Sequence, residues 1–195
     1  MTLITLVRHG QTDWNLGRRI QGSTDIPLNE TGRADAYAAA ERLADGTHHA
    51  VTSSPLARAR ETAQIIADRL GLPLGDAVAD VREREFGEGE GLLVEEYLAT
   101  YGDWHAEVPG AETLDAVGDR ALGALHRIAR ESRERTAPVA ESVIVVAHGG
   151  VIRAVIDRVS GGTLPRDGDV LANGSAHRFE VSPHSVRLLD QFALV

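Results

Sequence analysis

Two histidines and a few arginines stand at places in the chain where they could act together. LVRHGQTDWN, residues 6 to 15, ends an apolar run on Arg8, His9 and Gly10. SVIVVAHGG, residues 142 to 150, ends a second apolar run on His148, Gly149 and Gly150. Between them, SSPLARARET puts Arg58 just beyond a third β-rich stretch. The planar arginine fork suits bidentate contact with phosphate oxygens. Glycines that open a helix leave N–H groups free to hold an anion. The chemistry these residues could share is the handling of a phosphoryl group.

Each sign also has a plainer meaning. Gly10, Gly149 and Gly150 suit tight strand-to-helix turns whether or not a ligand approaches. A cation in the first turn of a helix, as Arg58 would be, is disfavoured by about 0.3–1 kcal/mol. A bound phosphate would reverse that sign, whereas a solvent-facing side chain would make it negligible.

The composition narrows the field. A chain of 195 residues fits one domain with a sizeable core, so 1–195 reads as a single domain. The net charge of −9 argues against a nucleic-acid partner. There is no cysteine, which excludes disulfides and thiolate chemistry. All 20 basic residues are arginine, which removes the phosphate-binding lysine of nucleotide loops and any Schiff base. No stretch approaches the roughly 20 apolar residues of a membrane span. MTLITLV is too short for a secretory apolar region, so a cytoplasmic protein that contacts no membrane is expected.

The elements that must position these groups alternate in type. Thr2 to Val7 reads as a buried strand, followed by a polar loop from Gly10 to Pro27. Asn29 or Thr31 can cap a helix carrying Ala36, Ala39, Ala40 and Leu43 on one side. A strand from Ala50 to Ser53 leads to a helix whose start is signalled by Ser54 at N-cap and Pro55, and whose end is Gly71. Residues 81–91 read as a loop, and Leu114, Val117, Ala121, Leu125 and Ile128 mark another helix. A polar connector from Glu131 to Ser142 precedes the run SVIVVA, which suits a strand covered on both faces. A helix is expected from Val151 to about Val159, then two β-like segments near 174–181 and 184–190 that could pair as a hairpin. The pattern predicts a three-layer α/β/α sandwich with a largely parallel central sheet and an antiparallel edge strand. Ligands of such sheets bind beyond the carboxyl ends of the strands.

The ordered blocks RHGQTDWN, QGSTDIPLNETG, SSPLARARET, REREFGEGEG and VVAHGGVIR resemble the histidine phosphatase superfamily. The likeness is to its phosphoglycerate mutase-like branch, which includes small phosphatases. That resemblance implies that His9 forms a phosphohistidine and that Arg8, Arg58 and His148 surround the phosphoryl group. It implies Glu83 as proton donor, Asn15, Gln21 and Gly22 in the phosphate pocket, and a backbone N–H from Gly149. No metal and no cofactor are implied; the substrate would be a small phosphorylated metabolite. Composition alone does not separate Glu83 from Glu85, Glu88 and Glu90; the family's spacing does. The expected activity is metal-independent phosphomonoester hydrolysis, of the histidine acid-type phosphatases. A phosphoglycerate mutase is the alternative and a non-catalytic phospholigand-binding module a third reading. The stretch around 92–113 is short for a mutase cap. Two departures touch pocket loops: Gly89 where tryptophan is frequent, and PGAET, with Ala111, for a Pro-Gly-Gly-Glu-Ser block. The other histidines (His48, His49, His105, His126, His177 and His184) read as surface residues, and Trp14 and Trp104 as packing residues. Oligomeric state leaves no readable signal.

Overall fold

The computed structural model describes residues 1–194 apart from 45, 140 and 167. Five strands form one sheet in the order β2-β3-β1-β4-β5: β1 Thr2–Arg8, β2 Ala50–Ser53, β3 Ser142–Ala147, β4 Leu171–Val181 and β5 Val186–Leu194. β1, β2 and β3 run parallel, with Arg8 opposite Ala147 at the end of the β1–β3 ladder. β4 pairs antiparallel with β1, and β5 antiparallel with β4, so the expected terminal hairpin is present.

Helices cover both faces. α2 (Glu30–Leu43) and α3 (Ala57–Leu70) lie on one side, α5 (Leu114–Thr136) and α6 (Gly149–Ser160) on the other. Strand β3 shows why its run is continuously apolar. Val143, Val145 and Ala147 point into the α5/α6 core, while Ile144 and Val146 point into the α2/α3 core. With both faces buried, the strand is apolar at every position after Ser142. The sandwich is three-layered, as the alternation of elements predicts.

Local chemistry explains most boundaries. Asn29 caps α2 by accepting from Gly32 N–H, and Gly71 ends α3 in the left-handed region at φ 66°. α3 departs from expectation. It begins at Ala57 with Leu56 as N-cap, not at Ser54–Pro55, and has no side-chain cap. The Ser54 oxygen accepts from Leu56 N–H and is also engaged by His148, so it is spent before the helix starts. α5 runs on through the expected connector to Thr136, carried by Ala129 and Ser132 on its buried face. α6 starts at Gly149, two residues before the expected Val151.

Two short helices were not read from the sequence: α1 (Asp13–Leu16) lies in a stretch read as loop, and α4 (Val94–Tyr101) in the stretch read as a short cap. α4 belongs to segment 92–113, whose Tyr97 and Val108 form a small core with Ile20 and Phe86. Trp104 stacks on Tyr97 with ring centroids 5.3 Å apart. A Cβ at Gly89 would come 2.6 Å from the Tyr97 ring, so Tyr97 occupies the space a larger residue at 89 would need. Among the described residues no helix is long and apolar enough to cross a membrane.

Candidate active site

Parallel pairing of β1 with β3 brings His9 and His148 together at the carboxyl edge of the sheet. His9 N–H donates to Ala147 O at 3.0 Å, and the two imidazole centroids lie 5.1 Å apart. Both rings are buried. His9 Nδ1 lies 2.7 Å from Gly10 O, and a carbonyl oxygen can only accept. The neutral ring therefore carries its proton on Nδ1 and its lone pair on Nε2. Burial, then the charges of Arg58 and Arg8, hold the His9 pKa well below the ordinary histidine value. His148 is lowered in the same direction by burial first, then by Arg58, His9 and Arg8.

The turn after His9 fits only without a Cβ. An added Cβ at Gly10 would sit 2.0 Å from Gly32 O, in the first turn of α2. Gly10 N–H donates to Thr62 Oγ1 of α3 at 3.1 Å. Two helices thus fix the loop that holds the ring.

The arginines are deployed differently. Arg58 is wholly buried in the first turn of α3, a turn that has no acidic residue. Its Nη2 donates to Gly22 O at 2.8 Å and its Nη1 to Thr24 O at 3.0 Å, while Nε has no partner among the described residues. Arg8 Nη1 donates to Leu171 O, and its Nε is likewise buried without a partner. A Cβ at Gly149 would come 3.3 Å from Arg8 Nε, so the glycine lets this guanidinium lie against the start of α6. Burial lowers the pKa of both arginines and Glu83 opposes that shift, yet guanidinium remains charged.

Glu83 is buried and held at both oxygens. Arg84 N–H donates to Oε1 at 2.8 Å and Gly150 N–H, in the first turn of α6, donates to Oε2 at 3.0 Å. Glu85 and Glu88 belong to other surroundings; Glu85 is exposed beside Arg82. Gln21 is oriented by its neighbours. Thr12 Oγ1 and Asn15 Nδ2 both donate to its Oε1, which leaves Nε2 as its free edge, buried and without a partner among the described residues.

A cavity of about 610 Å³ opens over this group. Arg8, His9, Asn15, Gln21, Glu83 and Gly149 lie on its wall. Arg58, His148 and Gly22 do not; all three are buried, with Arg58 bonded to the 22–24 turn and the His148 ring against that of His9. The wall also includes residues that sequence reasoning missed: Arg18, Arg84, Arg153 and Asn173. Asn173 donates to His9 O at 2.9 Å and to Asn15 Oδ1 at 3.2 Å, tying β4 to the loop that follows β1. The signal for it was the Asn-Gly pair that interrupts the last β-rich stretch; Gly174 there has φ 71°. Trp104 joins the wall while packing on Tyr97.

The remaining histidines divide. His105 and His184 are exposed, as expected. His177 is not: β4 lies between β1 and β5, and the ring is wholly buried with Nε2 3.1 Å from Ser175 Oγ. His48 and His49 flank Ser142, which His48 meets through Oγ and His49 through the backbone N–H. Among the described residues no group of three or more His, Asp or Glu could hold a metal ion.

Two imidazoles kept neutral by burial make stability pH-dependent with a definite sign. Below an unfolded pKa of about 6.5 the unfolded chain binds protons that folded His9 and His148 refuse. Stability is then lost as pH falls, at up to about 1.4 kcal/mol per pH unit for each ring. The urea midpoint should drop from about pH 7.5 to 5.5, and His9→Gln should remove part of the slope. A wild-type midpoint that rises on acidification would contradict the buried neutral rings.

A doubly covered α/β sheet with a neutral histidine and buried arginines at its carboxyl edge defines a class: α/β proteins whose site lies at the rim of a parallel sheet and suits an anion. More narrowly, the chain belongs to the histidine phosphatase superfamily, branch 1, whose family model matches residues 4–192. It is 37% identical to the uncharacterized phosphatase PhoE of Bacillus subtilis, over 97% of this chain and 94% of that one. It is 40% identical to a metal-independent phosphoserine phosphatase of Arabidopsis thaliana, over 82% of this chain and 69% of that one. The structure of a mycobacterial glucosyl-3-phosphoglycerate phosphatase in complex with VO3 superposes with TM-score 0.81 at 28% identity, covering 97% of each chain. Relatives of the chain include phosphoglycerate mutases as well as phosphatases.

Proposed function

We propose that the protein is a metal-independent phosphomonoesterase acting on small phosphorylated metabolites through a phosphohistidine on His9. The observation that carries this reading is the fixed tautomer of His9: a buried neutral imidazole, its Nε2 lone pair free, close to two arginines whose Nε atoms have no partner among the described residues. Phosphoryl transfer passes through a loose state with charge on three equatorial oxygens, and catalysis rests on positioning and fixed positive charge. Arg8 and Arg58 supply that charge, and Gly149 N–H and Gln21 Nε2 add donors.

In the first step His9 Nε2 attacks phosphorus and the P–O bond to the alcohol breaks. Glu83, protonated, gives its proton to the leaving oxygen. In the second step water attacks the phosphohistidine, the P–N bond breaks, and the Glu83 carboxylate takes the water proton. Phosphate leaves and the enzyme is restored. The 92–113 segment acts as a short cap within a single domain.

Hydrolysis is favoured over isomerisation because this cap is small: one two-turn helix and a few aromatic contacts beside an open cavity. A mutase must keep water from its phosphoenzyme while the substrate turns. The names of the phosphatases that the chain resembles support the same reading. The test supplies 3-phosphoglycerate with a bisphosphoglycerate primer and measures free phosphate against isomer, with and without EDTA. Free phosphate should dominate and EDTA should leave the rate unchanged. Isomer as the main product, or activity lost to EDTA and restored by magnesium, would refute the proposal.

A further inference from the structure

Ser54 is wholly buried at the end of β2, and the hydrogen bonds around it determine more than its own position. Its Oγ accepts from Leu56 N–H at 3.3 Å and lies 2.7 Å from His148 Nε2. A hydroxyl has one proton to give. Among the described residues, His148 Nε2 is the acceptor within its reach. In the opposite arrangement Nε2–H would donate to Oγ. That oxygen would then receive two donors, and its own buried proton would have nowhere to go.

We propose that Ser54 is a positioning residue: its hydroxyl donates to His148 Nε2, which holds the neutral ring as the Nδ1–H tautomer and makes His148 a hydrogen-bond donor to the transferred phosphoryl group. The proposal rests on the reading of His148 as part of the phosphoryl site. His148 Nδ1 is the ring's other edge, buried and without a partner among the described residues. Burial beside Arg58, His9, Arg8 and Arg120 keeps the ring uncharged, so its tautomer decides what it offers an anion. The wrong tautomer would turn a lone pair toward the phosphate oxygens.

The two neighbouring rings thereby take opposite tasks from the same tautomer. At His9 a pure acceptor, the Gly10 carbonyl, takes up Nδ1–H and frees the Nε2 lone pair for attack. At His148 a donor, the Ser54 hydroxyl, takes up the Nε2 lone pair and frees Nδ1–H. The choice of partner, carbonyl or hydroxyl, separates nucleophile from hydrogen-bond donor.

Long-range proton–nitrogen correlation spectra of ¹⁵N-histidine protein test this directly, with the His148 signals assigned by their loss in His148→Asn. At about pH 7 the wild type should show His148 with a protonated Nδ1 and a bare, hydrogen-bonded Nε2. Ser54→Ala should admit the Nε2–H form and lower kcat roughly ten- to a hundredfold, with KM changed less than about threefold. Ser54→Thr, which keeps the hydroxyl, should restore both spectrum and rate. A wild-type His148 found as Nε2–H or as imidazolium overturns the proposal, whether or not any variant folds. So does a Ser54→Ala enzyme whose kcat stays within about twofold. A wild type with the Nδ1–H form that releases no phosphate from any ester would sustain the tautomer and refute the phosphatase reading instead.

Discussion

His9→Ala should lower turnover of a phosphate monoester by about 10⁴- to 10⁶-fold and abolish the acid-quenched phosphoenzyme. The size follows from what is removed. Alanine deletes the Nε2 lone pair itself, and among the described residues at the site the arginines are cationic and His148 Nε2 is engaged by Ser54. Arg8, Arg58 and Gln21 would still bind phosphate, so affinity for inorganic phosphate or vanadate should survive within about tenfold. That separation of binding from turnover is the informative part. Rates measured on a series of esters, with rapid acid quench to trap the phosphohistidine, check it. Turnover retained within tenfold would mean that phosphorus is attacked by water directly or by another group.

Glu83→Gln is expected to be nearly as damaging, but only where a proton is needed. With an alkyl phosphate, whose alkoxide is a poor leaving group, kcat should fall about 10²- to 10⁴-fold. With p-nitrophenyl phosphate the first step should survive, because nitrophenolate leaves without a proton. The second step should then fail, since no carboxylate remains to activate water, and phosphohistidine should accumulate as a burst. The replacement also disturbs local geometry. Both oxygens of Glu83 accept backbone N–H bonds, and a glutamine NH2 must face one of those donors. Glu85→Gln is the control: Glu85 is exposed and pairs with Arg82 at 3.5 Å, so turnover should stay within about twofold. Equal loss at the two positions, or no dependence on the leaving group, would move the acid elsewhere.

Much of this arrangement was legible in the chain because it rests on backbone rules. Short β-rich runs ending in Arg-His and His-Gly-Gly announced two strand exits, and parallel pairing brought them side by side. The reading failed where a side chain serves something other than its own element. Ser54 looks like a helix cap, but its oxygen is engaged by a residue 94 positions away, and the helix starts without it. His177 looks like an isolated polar residue, but it lies on a strand paired on both sides and is buried. Asn173 is announced only by its Asn-Gly pair, which signals a turn and not a contact with the His9 carbonyl 164 positions away. The α4 helix was missed because two turns give too short a period to read, and its start is closed by Glu96 accepting from Leu93 N–H. Family likeness singled out Glu83, and burial with two backbone donors is the physical property that sets it apart from Glu85.

Arg8 faces Ala147 across the ladder, so His9 and His148 are the next rung on each rail. Adjacent strands lie about 4.8 Å apart, and the imidazole centroids are 5.1 Å apart. The gauge between the two rings is thus borrowed from main-chain spacing common to all sheets, and the contacts around Gly10 and Ser54 only orient the rings upon it. Sequence drift around the cavity mouth can re-aim such an enzyme at a new compound while its inner ruler stays unaltered.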